Sequence, residues 1–175
     1  MILYHGTDEN SAKDILLRGI VLALGNERAD FGQGFYTTPD KQMAEKWAAR
    51  KGVMSRGAVI SFLFDESSIP DCLSTKRFDQ ADLIWAQFVA NNRNGFRYIR
   101  KMEEPDNNLY GQYDIVIGPT ADGDVANITR ALEADALPVS SADVEAMTQR
   151  VLSWQYSFHT QAGVALLNGG RIRLV

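Results

Sequence analysis

The sequence predicts an α+β fold, with residues 1–175 forming one domain. Three observations carry that expectation. A chain of 175 residues is long enough for one core and short for two. Strand-length apolar runs mix with helix-length amphipathic stretches at irregular spacing, which argues against a regular βαβ array. No repeat, low-complexity tract or linker divides the chain.

The elements follow in order. "ILYHGT" reads as a short strand stopped by Gly6. "SAKDILLRGI" reads as a helix, with Ser11 and Asp14 spaced as a capping box and Gly19 suited to its C-terminal cap. "TPDKQMAEKWAARKG" carries strong helix punctuation: Thr38 at the N-cap, Pro39 in the first turn, Asp40 favourable to the dipole and Gly52 as the stop. Met43 and Trp47 share a face of that helix, beside Ala44 and Ala48. Ala58–Phe64 is the next strand, and "DQADLIWAQFVANNR" an amphipathic helix that turns Leu83, Ile84, Phe88 and Val89 inward. "YDIVIG" reads as a buried strand, and "PTADGDVANITR" as a loop turning helical toward "ITRALEA". "SSADVEAMTQRVL" is helical, with Ser140 and Asp143 as a second capping pair. "WQYSFHT" is a strand, "QAGVALLNGG" a short helix and "RIRLV" a closing strand.

Composition narrows the function classes. The chain is 45% hydrophobic and 23% charged, with a net charge of −4 that argues against non-specific affinity for nucleic acid or anionic membranes. Cys72 stands alone, which excludes an intrachain disulfide framework and a thiolate metal cage. No apolar run approaches membrane-spanning length, and no basic segment precedes an apolar one at the N-terminus. A cytoplasmic location is the expectation, although a specialised secretion route would leave no mark of this kind.

"DFGQGFYTT" (Asp30–Thr38) sets two glycines among three aromatics, behind an acid and ahead of two hydroxyls. Gly32 and Gly34 permit backbone geometry or close approach that a β-carbon would block. Phe31, Phe35 and Tyr36 offer flat apolar faces, and Tyr36 adds a polar tip. A tight turn needs no such cluster of rings, whereas a pocket for a flat ligand does.

The order strand, "HGT", helix, "FGQGFY", helix resembles the ADP-ribosyltransferase superfamily, in the branch of poly(ADP-ribose) polymerases and diphtheria-type toxins. The motif residues are His5–Thr7 and Phe31–Tyr36, and "WQYSFHTQAGVALL" resembles the third motif with Gln155 in place of its acid. The resemblance is closest to uncharacterised bacterial members, several thought to be toxins or effectors. It implies a split, mainly antiparallel sheet flanked by helices, with NAD bound in the cleft between the halves.

The resemblance also implies roles. The Gly6 backbone holds the nicotinamide carboxamide, and His5 hydrogen-bonds the adenosine ribose. Tyr36 stacks on the nicotinamide ring and Trp47 forms the opposite wall. Thr7, Phe31, Gly32 and Gly34 complete the cofactor-binding set, and His5, Tyr36 and Gln155 the catalytic one. A flat nicotinamide cation between two aromatic faces gains on the order of 1–2 kcal/mol when desolvated. The family often places a hydroxyl on the second helix, and here that position is Ala44, which cannot make the contact.

The implied reaction breaks the bond between nicotinamide and ribose through an oxocarbenium-like transition state, as in glycoside hydrolysis. Gln155 positions a ribose hydroxyl but supplies no negative charge, which favours transfer of a single ADP-ribose unit, or slow NAD hydrolysis, over chain elongation. The acceptor is not readable, and the acidic balance tilts the expectation toward protein over nucleic acid. Two rivals stand beside this reading: a non-catalytic NAD- or ADP-ribose-binding module, and a toxin silenced by a cognate antitoxin protein. His159 lies two residues from Ser157 with no acid to complete a triad, and reads as structural. Turn chemistry explains Asp122–Asp124 ("DGD"), so no metal is expected. Cys72 has no activating neighbour, and Glu145 on the preceding helix is not placed near the site by any spacing.

Overall fold

The computed structural model describes residues 1–52, 55–94, 106–122, 127, 142, 143, 146 and 153–175. Strand β1 (Ile2–Asp8) runs straight through Gly6, where the sequence suggested a stop. It forms one edge of a three-stranded antiparallel sheet ordered β1–β3–β7, with β3 at Gly57–Leu63 and β7 at Asn168–Leu174. A second, four-stranded sheet is ordered β2–β6–β5–β4, from Phe35–Thr37, Trp154–Phe158, Ile115–Pro119 and Thr75–Arg77. Its β4–β5 pair is parallel and its other pairs are antiparallel. An isolated bridge joins the sheets: the Tyr4 N–H donates to the Thr38 carbonyl at 2.8 Å, and the Thr38 N–H donates back at 2.9 Å. The architecture is α+β, with mixed but mainly antiparallel sheets flanked by helices.

Helix α1 (Glu9–Arg18) starts earlier than its sequence suggested. Asp8 is the N-cap, accepting from the Asn10 and Ser11 N–H groups at 3.0 Å, and the Ser11 hydroxyl donates back to it at 2.5 Å. A carboxylate at the strand's end reaches the first orphan amides sooner than Ser11 can. Gly19 closes the helix at φ 86°. Helix α2 (Lys41–Lys51) is capped by Asp40 rather than Thr38, because Thr38 is held in the bridge to β1. Gly52 ends it, as its sequence suggested.

Helix α3 (Leu83–Asn94) corrects another expectation. Ile84 is 58% exposed and Leu83 only half-buried, while Trp85 is fully buried. Phe88 and Val89 are buried as expected, and in the first turn Trp85 takes the inward place because it joins the cluster in which Phe31 and Phe78 pack on Phe88. A second cluster joins Leu3, Phe64, Ile115, Ile117, Tyr156 and Phe158, while Val116 belongs to the first, so β5 is buried on both faces. The short helix α4 (Gln161–Val164) leads into β7, which begins at Asn168, earlier than "RIRLV". Strand β4 was not read from the sequence: it has three residues, two of them exposed.

Of the helix read over 140–152, only Ala142, Asp143 and Ala146 are described, and they are helical. Ser140, Glu145 and the stretch 128–134 lie outside the described residues. Among the described residues no helix is long and apolar enough to cross a membrane.

Candidate functional site

A cleft of about 840 Å³ is lined by β1, the segment from α1 to Asp30, β2, one face of α2, residues following β5 and Gln155 of β6. His5, Gly6, Thr7, Gly34, Tyr36, Trp47 and Gln155 all line it. Phe31 and Gly32 do not. Phe31 is fully buried against Phe78 and Phe88, with its side chain turned into the core. Gly32 takes the left-handed conformation at φ 88° and offers its carbonyl to the Tyr36 hydroxyl. Both shape the wall from behind.

The β1 edge forms the first wall of the cleft. In an antiparallel strand, backbone polar groups alternate sides from one residue to the next. Tyr4 directs its N–H and C=O to Thr38, away from β3. Gly6, two residues on, directs its own pair to the same side, where β1 has no further strand partner among the described residues. An adjacent donor and acceptor are thus left for a ligand, and a primary carboxamide matches them. Gly6 must also be glycine for packing, because a β-carbon there would stand 2.0 Å from the Ala44 carbonyl oxygen in α2.

His5 is next. Its Nδ1 lies 2.7 Å from the Tyr36 carbonyl, which can only accept, so Nδ1 carries the proton and Nε2 keeps a lone pair. The ring stacks on Phe35 at 4.3 Å. Burial pulls its pKa from an ordinary 6.5 to about 4, outweighing the Tyr36 carbonyl's opposing effect. His5 is therefore a neutral acceptor near pH 7, suited to a sugar hydroxyl.

The "DFGQGFYTT" segment clasps itself. The Tyr36 hydroxyl donates to the Gly32 carbonyl at 2.6 Å and accepts from the Phe31 N–H at 2.9 Å. Burial, and then the charge of Asp30, push that phenol well above its usual range. Its oxygen is thereby committed, and the ring is what remains for a ligand. Gly34 lies under His159, where a β-carbon would come 2.7 Å from the imidazole Nδ1. His159 donates from Nδ1 to the Gln33 carbonyl and accepts from the Ser157 hydroxyl, each at 2.8 Å. Ser157 is fully buried and lines no part of the cleft, so the pair clamps the segment to β6.

Trp47 is fixed by its indole N–H, which donates to the Asp122 carboxylate at 3.2 Å. Asp122 is thus engaged with a side chain of the cleft wall, and Gly123 and Asp124 lie outside the described residues. Gln155 is 3% exposed and donates from Nε2 to Asp30 Oδ2 at 2.8 Å and to the Pro119 carbonyl at 3.2 Å. Asp30 also receives Arg93, through Nε at 3.1 Å and a terminal nitrogen at 2.7 Å, and the Ala121 N–H at 3.2 Å. The sequence reading missed Asp30 and Arg93 as site residues. A clue was present in each: the acid abuts the aromatic–glycine segment, and Arg93 is a cation on a helix otherwise buried along most of its length.

Residues 1–168 match the family described as "Protein of unknown function (DUF3990)". The chain belongs to that family. No curated protein matches this DUF3990 chain.

Proposed function

We propose that this DUF3990 chain is a mono-ADP-ribosyltransferase, which cleaves NAD, releases nicotinamide and passes one ADP-ribose unit to a macromolecular acceptor. The observation that supports the reading is a convergence in one cleft. The uncommitted backbone pair of Gly6, the neutral His5, the Tyr36 and Trp47 rings and Gln155 all border the same space. Its volume suits a small-molecule ligand. Arg18, Arg28 and Lys51 on the lining offer positive charge to a dinucleotide's phosphates.

Each group has a task in that chemistry. Gly6 takes the carboxamide, and the two rings flank the flat cation. His5 accepts from a ribose hydroxyl through Nε2, which fixes the sugar. The glycosidic C–N bond breaks with its electron pair leaving on nicotinamide, and positive charge develops on the ribose. The acceptor's nucleophile, or water, then bonds to that carbon and gives up its proton to solvent. Gln155 holds a ribose hydroxyl there. A site with an amide in place of a carboxylate suits a single transfer, and the net charge of −4 favours a protein acceptor over nucleic acid. The amide at 155 also favours one other reading, an NAD-binding module without turnover.

Incubating the purified protein with NAD, with and without cell lysate, and quantifying nicotinamide and ADP-ribosylated material tests this. His5→Ala and Tyr36→Ala run alongside, each with a thermal melt to check folding. Nicotinamide release that depends on both residues supports the transferase, and lysate-dependent labelling points to the acceptor. NAD binding with turnover equal to buffer supports the silent module, and no NAD binding sinks both readings.

A further inference from the structure

We propose that Asp30 is a positioning residue of this cleft, a carboxylate that acts on the reacting sugar through Gln155. The inference rests on the NAD-cleavage reading and names the charge that reading lacks. A lone glutamine can turn either its oxygen or its NH₂ toward a ligand, and the two faces do opposite things. Here the choice is made. Both hydrogen bonds from Nε2 go to acceptors, Asp30 Oδ2 at 2.8 Å and the Pro119 carbonyl at 3.2 Å. The NH₂ group has no further proton to give, so Oε1 is what a residue lining the cleft can present to a substrate.

Asp30 does more than orient the amide. A hydrogen bond donated to a carboxylate polarises the amide and raises electron density on its oxygen. The oxygen facing a ribose hydroxyl thus carries part of the negative character that a glutamate would supply outright. Asp30 borders the cleft beside Gln155, and Arg93 and the Ala121 N–H, with the Gln155 amide, engage both of its oxygens and fix the carboxylate in place. The residues come from four separate parts of the chain, and Asp30 and Gln155 are 125 positions apart. The charge of Asp30 therefore reaches the sugar through one hydrogen bond, by way of the amide that meets it.

The test is a charge swap read as nicotinamide release from NAD, with kcat and KM determined separately and thermal melts for every variant. Asp30→Asn lowers kcat roughly 10- to 100-fold with KM within about 3-fold, the scale of one charge-assisted hydrogen bond. Gln155→Glu also lowers kcat, because two carboxylates at hydrogen-bond distance oppose each other's charge. The double variant Asp30→Asn/Gln155→Glu regains activity over either single change, since one carboxylate and one amide are again in contact. If Asp30→Asn does not fold, Gln155→Glu carries the test alone, a lowered kcat supporting the proposal and an unchanged or raised kcat overturning it. A rise in kcat on Gln155→Glu alone overturns the proposal, as does a double variant no better than the single ones. An Asp30→Asn protein with unchanged kcat overturns it too, whatever its KM. Failure of the NAD-cleavage reading looks different, because the unaltered protein itself then releases no nicotinamide, and both fall together.

Discussion

Replacing Gly6 with alanine asks how much of the "HGT" segment is packing and how much is ligand binding. A β-carbon on Gly6 would stand 2.0 Å from the Ala44 oxygen, 2.9 Å from the Ala48 nitrogen and 3.0 Å from the Ala44 carbonyl carbon. Carbon and oxygen in ordinary contact are about 3.3 Å apart, so α2 must retreat by more than about 1 Å. The obstruction is helix backbone, which no rotamer change relieves. Ala44 and Ala48 are fully buried against β1, so the retreat also loosens the packing they make. Overpacking of this kind costs about 1–3 kcal/mol, and a backbone clash puts Gly6→Ala at the top of that range. At roughly 2–4 °C per kcal/mol for a chain of this size, the melting temperature falls by about 6–12 °C. Gly19→Ala separates the two causes: Gly19 has φ 86° and ψ 175° with nothing within 4 Å of the added carbon, so it incurs backbone strain without a clash, about 1–3 kcal/mol. Thermal and urea melts followed by circular dichroism measure both. A Gly6→Ala protein melting within about 3 °C of wild type would refute the reasoning.

The two histidines set a pH dependence of stability. Burial lowers both His5 and His159 to about 4 from an ordinary 6.5, so the unfolded chain binds protons first as pH falls. Their contribution is complete above pH 6.5 and is lost progressively toward pH 4, at about 2 kcal/mol each once partial exposure is allowed for. Urea midpoints should therefore drop between pH 7 and pH 5, less steeply in His159→Asn, and a flat profile contradicts the assignment. The Trp47–Asp122 bond makes a separate prediction for ligand affinity. On the proposed NAD reading, Asp122→Ala frees the indole and weakens NAD binding about 3- to 10-fold by calorimetry, whereas Asp122→Asn retains an acceptor and stays near wild type. Equal loss in both variants would assign the effect to charge instead of ring position.

The elements that local chemistry dictates were legible in the chain. The apolar runs at β3, β5 and β6 announce strands, and Gly19 and Gly52 mark helix ends, because each depends on its near neighbours. The cleft residues His5, Gly6, Tyr36, Trp47 and Gln155 were legible as a set through their order along the chain. Their tertiary settings were not. Periodicity cannot say that Phe31 turns into the core while Tyr36 lines the cleft, since both are aromatic and only the packing of Phe78 and Phe88 separates them. Nor can it place an aspartate against a glutamine 125 residues away, or show that Gly6 is required by a helix 38 residues later. Periodicity and capping are written in contacts a few residues long. Which charge sits behind which amide depends on how two sheets bridged at Tyr4 and Thr38 meet, and that distance through space has no counterpart along the chain.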